Sequence, residues 1–393
     1  MAETEQILLL REGAEAWNAW REANPSIRPG LAKAKLNGAN LGGAILRGAD
    51  LGEANLSRAN LRNAVIGDSD LSGADLSGTN LSRANLTRAR LKGANLSRAN
   101  LSEANLAAAD LSTTNLSLAN FTGATLTDAN LQQAILSRAL LRGTNLGGAS
   151  LVSANLSGAE LTGAYLSGAV ATGANFRGAD LSRANLIGAK LNEANLSLAN
   201  RTRANLSGAE LVNADLNGAT LLRTNFSLAN LTGAELTGVH WHLRAMRGCY
   251  LGVRGLESCF GNALFKRAAA DQDFLDSLEE HLKGTRRMFL FRAWGVIDYR
   301  RSLLRVAAIS LGLAAVYGGI YRVFPSILDY SGSARTWYTP LYFSIVTYTT
   351  LGFGDVKPAN LAGEIIVSSE VILGYTTLGL LLSVLAQSVA RRS

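Results

Sequence analysis

Histidine and cysteine are nearly missing from this chain, which has 3 and 2 of them in 393 residues. The histidines are His240, His242 and His281, and the cysteines are Cys249 and Cys259. Neither set has zinc-site spacing, and two thiols expected on the reducing side of a membrane predict no disulfide. No nucleophile stands beside a base and no phosphate-binding glycine loop occurs, so no enzyme and no cofactor are predicted. Acidic residues do not dominate: 38 Lys and Arg stand against 30 Asp and Glu, a net charge of +8. The arginines of the N-terminal two-thirds are scattered among carboxylates, which argues against a nucleic-acid partner. The chain begins Met-Ala-Glu-Thr-Glu and its first apolar run is only Ile7 to Leu10, so no signal peptide is expected.

What is abundant is a period of five. From Leu36 to Leu236 a large apolar residue, nearly always Leu, recurs at every fifth position without insertion, 41 positions in phase. Two places before each sits a small residue, usually Ala, as at Ala39, Ala94 and Ala184, and Asn or Asp often lies between, as at Asn55, Asp75 and Asn195. Five matches neither a helix at 3.6 nor a strand at 2.0, so each unit must be a short straight side followed by a corner.

Stretches such as Ala-Asn-Leu-Ser-Arg and Ala-Asp-Leu-Ser-Gly resemble the pentapeptide-repeat family, A-(D/N)-L-x-x. The resemblance covers about residues 31–240 and implies a right-handed, four-sided β-helix with about twenty residues per coil. Leu and Ala would then point inward and Ser, Gly, Arg and Asn outward. At roughly 4.8 Å between strands, about ten coils make a rod about 50 Å long. Some members mimic DNA with an acidic surface, and the mildly basic repeats here argue against that role. Two units break the pattern. Ala171 fills a Leu slot and predicts a small void or a narrowed coil. Arg201 fills another, where a guanidinium in an apolar core is costly, so the coil is expected to bulge or Arg201 to turn outward. Solenoid ends need caps, and residues 1–25, with Leu8 to Leu10, Trp17 and Trp20, read as one amphipathic capping helix.

Long apolar runs are confined to the last hundred residues. Leu303 to Phe324, ending at Pro325, and about Leu361 to Ala390 are each long enough for one membrane crossing, which needs roughly 20 residues. Arg305 and Arg322 lie near the two ends of the first run, where they can snorkel. Between the runs, Thr339 and Pro340 read as an N-cap and first helical residue, opening a short helix over 340–349 that reaches only halfway across a bilayer. Its partially negative C-terminal end would favour a cation. Thr347-Tyr348-Thr349-Thr350-Leu351-Gly352-Phe353-Gly354-Asp355 follows. Irregular polar chain at membrane depth survives only where it is buried or lines a water-filled path.

The string T-x-T-T-x-G-F-G-D resembles the selectivity filter of potassium channels, T-x-T-T-V-G-Y-G-D, in the two-helix ion-channel pore family. The resemblance covers about residues 300–390. It implies cation sites formed by the carbonyls of Thr350, Leu351, Gly352 and Phe353 and by the Thr350 hydroxyl, with Gly354 closing the segment and Thr347, Thr349 and Asp355 supporting it. It also implies K+ as permeant ion and a homotetramer, since one chain supplies one filter strand. Leu351 replaces Val, and Phe353 replaces Tyr, removing a hydroxyl that braces the filter from behind. Gly374 falls at the hinge-glycine position of that family, and its alternative is close helix packing, with Gly379 five residues on. Glu370, an ionisable group deep in the second run, is expected to face the protein interior, where it braces the short helix, senses protons, or is a paired structural carboxyl.

Basic residues set the orientation. Arg300, Arg301 and Arg305 flank the first run, Arg391 and Arg392 follow the second, and the loop between balances Arg335 and Lys357 against Asp329 and Asp355. Positive residues stay inside, so both termini are expected to be cytoplasmic in a multi-pass plasma-membrane protein. No voltage-sensing arginine array and no Rossmann-type ligand domain is present. The basic stretch 240–305 is expected to meet anionic headgroups. Within it, His242 to Phe260 finishes the rod, Phe265 to Leu282 forms a helix with Phe274, Leu275 and Leu278 on one side, and Met288 to Tyr299 suits the interface.

The predicted organisation is a capping helix over 1–25, a β-solenoid over 26–241, a cytoplasmic linker over 242–300 and an all-α pore domain over 301–393. The predicted function is a tetrameric bacterial potassium channel, bacterial by family resemblance alone, with a cytoplasmic partner or ligand at the repeats unidentified. A nonselective cation channel and a membrane-anchored scaffold are the alternatives.

Overall fold

A computed structural model describes residues 2–241, 249–283, 303–330, 336–349 and 356–390. The chain divides into two compact units, residues 1–278 and 279–393.

In the first unit, two helices, α1 (Ala2–Glu12) and α2 (Ala14–Ala23), precede the repeats. One helix was expected. Gly13 breaks it at φ 119°, a conformation open to glycine and costly for other residues. The pair covers the first coils: Trp17 is buried and its Nε1 donates to Ile45 O at 2.9 Å, while Asn18 Nδ2 donates to Gly43 O at 3.0 Å.

The repeats form a solenoid of parallel single-residue bridges, each joining a residue to one twenty positions on, from Gly30↔Asp50 to Thr220↔His240. Four five-residue units therefore make one turn. One unit shows why the motif reads as it does. Leu56 points inward, fully buried. Leu56 N donates to Asp75 O on the next coil at 2.7 Å, and Asn55 N donates to Ala34 O on the previous one at 2.9 Å. Arg58 takes the left-handed conformation, φ 57°, and turns the corner, and Ala59 N closes the turn on Leu56 O at 3.0 Å. The Asn55 side chain accepts from Ser57 N at 3.1 Å and Ser57 Oγ at 2.7 Å, stabilising the corner. Where Thr79, Thr114, Thr144 or Thr224 replaces Ala, its buried hydroxyl donates to a carbonyl 23 residues earlier. Each buried Leu contributes roughly 1.5–3 kcal/mol.

The ladder does not stop at residue 241. Phe226 N donates to Cys249 O, and bridges Asn230↔Arg254 and Glu235↔Phe260 extend it to Phe260. As expected of the stretch ending at Phe260, its described residues 249–260 continue the ladder. Burial pushes the Cys249 and Cys259 thiols up. Helix α3 (Ala263–Leu282) follows. Its buried face is Phe265, Ala268, Ala269, Gln272, Leu275 and Asp276, a helical stripe. Phe274, expected on that face with Leu275, is 62% exposed, because neighbouring helix positions point about 100° apart. Phe265 meets Trp241 and Tyr250 edge-on at 5.6 and 5.8 Å. Met288 to Tyr299 lies outside the described residues.

Arg201 departs from expectation. The coil neither bulges nor turns it out: Arg201 N keeps its ladder bond to Thr220 O at 2.9 Å, and the side chain is wholly buried. The backbone ladder on either side holds the coil in register whichever side chain fills the slot. Nε, Nη1 and Nη2 have no hydrogen-bond partner among the described residues, and burial pushes the guanidinium down to about 9, against a counter-pull from Asp215. Ala171 is buried in its slot with regular ladder bonds.

In the second unit, α4 (Leu303–Val323) and α6 (Leu361–Ala390) flank a ten-residue helix, α5 (Thr339–Tyr348). The bounds fall within a residue of those expected, Thr339 being the first helical residue and Tyr338 the cap. A short antiparallel pair joins β1 (Leu328–Asp329), after α4, to β2 (Lys357–Pro358), before α6. Tyr321, Ile327 and Leu328 form its small core, with Tyr317, Phe343, Ile366 and Val367 packed around them.

Candidate functional site

Both α4 and α6 are long and apolar enough to cross a membrane. Large apolar side chains lie open along them, among them Leu311 and Val316 on α4 and Ile365 and Ile372 on α6. Such surface needs lipid or another subunit to cover it.

Helix α5 is wedged against both. Too short to be stable alone, it is held by three sets of contacts. Near its start, a Cβ at Gly318 of α4 would come within 3.0 Å of Leu341, so the missing side chain permits close approach. In its middle, buried Ser344 Oγ donates to Ala314 O at 2.6 Å and also contacts the Glu370 carboxyl. At its end, Gly374 of α6 abuts the Tyr348 main-chain carbonyl, and any Cβ there would collide with it. The Tyr348 hydroxyl lies 2.9 Å from Thr377 Oγ1.

On α6, Glu370, Gly374 and Thr377 therefore share one helical face and meet Ser344 and Tyr348 of α5, one turn apart. From α4, the Tyr321 hydroxyl donates to Glu370 Oε2 at 2.5 Å, and the Tyr317 hydroxyl lies 2.8 Å from Ser369 Oγ. Above this, Gly363 abuts Ile327 O, and Asn360 Nδ2 donates to Ser326 O at 3.2 Å.

The expected site residues divide three ways. Thr350, Leu351, Gly352, Phe353, Gly354 and Asp355 lie outside the described residues. Thr347 is buried at the end of α5, and Thr349 Oγ1 donates to Ile345 O at 2.7 Å, capping the helix. Glu370 faces inward, as expected of an intramembrane carboxyl. Of the two readings of Gly374, close packing is what the geometry displays, whereas a Cβ at Gly379 would meet nothing within 4 Å. Ser344, Tyr321, Tyr317 and Thr377 were missed. A lone serine in the apolar stretch Thr339–Tyr348 was the available signal for Ser344.

A family model for pentapeptide repeats matches in 8 copies, at residues 31–63, 64–102, 99–138, 134–170, 159–197 and 199–238. A second, for an ion channel domain, matches residues 309–391. Neither family is enzymatic. Among solved structures, HetL, a pentapeptide repeat protein of the cyanobacterium Nostoc sp. strain PCC 7120 involved in heterocyst differentiation regulation, is 34% identical. It aligns over 58% of this chain and 92% of its own, with a TM-score of 0.34. A pentapeptide repeat protein from the Arabidopsis thaliana thylakoid lumen is 31% identical over 33% of this chain and 87% of its own, with a TM-score of 0.17. QnrB1, a plasmid-mediated fluoroquinolone resistance protein, is 20% identical over 57% and 96%, with a TM-score of 0.23. No curated protein matches. The chain belongs to the pentapeptide-repeat family and carries, after its repeats, the ion channel domain of a membrane protein.

Proposed function

We propose that the protein is a potassium channel in which four copies close one pore. The observation that carries this reading is the half-length helix α5, seated between two membrane-length helices with its C-terminal end leading into Thr350–Asp355. In the proposal, carbonyls of Thr350, Leu351, Gly352 and Phe353 replace the hydration shell of K+, and the α5 carbonyl end adds a partial negative charge. Thr347 and Thr349 anchor the start of that segment, and Asp355 and Gly354 its exit. Gly374 and Gly379 remain candidates for bending of α6. Both termini lie in the cytoplasm of a plasma-membrane protein. The repeats, a right-handed four-sided solenoid in this reading, regulate opening or dock a cytoplasmic partner.

Reversal potential tests the reading directly. Purified full-length protein in planar bilayers, with K+ on one side and Na+ on the other, is expected to reverse near the K+ equilibrium potential. Phe353 favours one second reading, a cation pore without strict selectivity, for which current reverses near zero. Absence of current in both the full chain and a chain lacking residues 1–240 would refute conduction and leave a membrane-anchored scaffold. Regulation by the repeats fails if that deletion leaves open probability unchanged across ligands and pH.

A further inference from the structure

Glu370 is closed to solvent in the middle of α6, yet its carboxyl touches two other helices. Tyr321 of α4 donates to Oε2, and Ser344 of α5 meets Oε1. Ser344 in turn reaches back to the Ala314 carbonyl on α4. Three helices thus converge on one carboxyl and one hydroxyl.

The protons of this cluster can be counted. A serine hydroxyl has one proton to give and two lone pairs with which to accept. Ser344 Oγ lies within reach of two oxygens, Ala314 O and Glu370 Oε1. Its single proton cannot serve both. Both contacts are hydrogen bonds only when the carboxyl carries the proton that Ser344 lacks. Tyr321 then serves Oε2, the carboxyl proton serves Ser344, and the Ser344 proton serves Ala314. An ionised carboxyl leaves one of these buried contacts unpaired, which is expensive away from water. Among the described residues, the other titratable groups nearby are phenols. Tyr317 of α4 is engaged with Ser369, and Tyr330 follows α4 in the same small core. Phe343 is the neighbour from α5, Arg322 of α4 is exposed, and Glu364 is exposed on α6.

We propose that Glu370 is a positioning residue for the pore, a neutral carboxyl that ties α5 to both spans and so sets the helix leading into Thr350–Asp355. The functional half of this inference rests on the channel reading above. Glu370 begins the α6 face that continues through Gly374 and Thr377 onto Tyr348, the last residue of α5. Releasing it frees the middle of a helix too short to hold itself.

The proton count distinguishes variants. A glutamine amide supplies one acceptor for Tyr321 and one donor for Ser344, so Glu370→Gln should act as wild type. Glu370→Leu keeps the volume and loses both bonds, and Ser344→Ala removes the partner with little change in bulk. The experiment uses full-length protein with two readouts, amide hydrogen exchange across Thr339–Tyr348 and K+ against Na+ reversal potential. Exchange across α5 is expected to rise at least tenfold in Glu370→Leu and Ser344→Ala, and relative Na+ permeability to rise several-fold, with Glu370→Gln within twofold of wild type on both. Unchanged exchange in Ser344→Ala would overturn the tie, and a Gln variant as loose as Leu would overturn the neutral carboxyl. If wild type carries no cation current, the channel reading falls alone, and the exchange measurement still decides the tie.

Discussion

The solenoid and the pore unit solve the burial problem in opposite ways. In the solenoid one contact set is repeated: from Gly30 to His240 each bridging residue pairs with the one twenty positions on, and coil after coil closes with the same kind of backbone bonds. In the pore unit each contact occurs once. Gly374 against Tyr348, Gly318 against Leu341 and Ser344 against Glu370 each join a different pair of residues, with no regular repeat among the described residues. Redundancy makes the first tolerant, since a misfit such as Arg201 is carried by regular coils on both sides. Singularity makes the second exacting, and a single methyl group added at Gly374 has nowhere to go.

The largest effect should therefore come from Gly374→Val. Its side chain would strike the Tyr348 carbonyl, and bilayer current is expected to fall more than tenfold while the melting of the repeats stays unchanged. Gly379→Ala, at a position with open space, should keep current within about twofold. Equal damage from both would erase the distinction between a packed and an unpacked glycine.

Within the solenoid, Leu126→Ala should cost roughly 2–5 kcal/mol in denaturant unfolding of full-length protein, with conduction intact. Loss of current from this variant would show that the two regions are not independent.

Arg201→Leu should work in the other direction. Replacing a buried guanidinium without hydrogen bonds by the side chain the repeat calls for should stabilise the rod by about 1–4 kcal/mol. A lower denaturation midpoint would mean that the guanidinium has a partner worth keeping.

The smallest effect lies on the solenoid surface. Burial pushes the Asp70 carboxyl up, but hydrogen bonds from Ser72 and Arg90 outweigh it and hold it at about 2. Its folded value is depressed, so its contribution is present above the ordinary carboxylate range near 3.9 and fades as pH falls from about 4 toward 2. Asp70→Asn should flatten a small part of the acid side of the stability profile in that window and leave neutral pH nearly untouched.

Much of this architecture was legible from residue types alone. The resemblance to the pentapeptide repeats put Leu and Ala inward, as at Leu56 and Ala59, the period of five called for a corner in each unit, and the two apolar runs marked α4 and α6. Contacts across the chain were not legible. Glu370 stood out as an ionisable group in an apolar run, but its partners lie 26 and 49 residues away, at Ser344 and Tyr321. The break at Gly13 and the turning of Phe274 away from the α3 interface were missed for a related reason. Each depends on what the helix packs against, and helix pattern alone leaves several faces eligible.

The sequence by itself determined the solenoid, because a repeat with translational symmetry carries its own environment: each unit's neighbours are copies of itself, whatever the rest of the chain does. Tertiary structure alone decided that Arg201 stays inside its coil, that Gly374 is a contact surface for Tyr348, and that one carboxyl joins three helices. Those outcomes follow from how close unlike helices approach and which ladder bonds outweigh a single misfit, and no local pattern of residues encodes either distance.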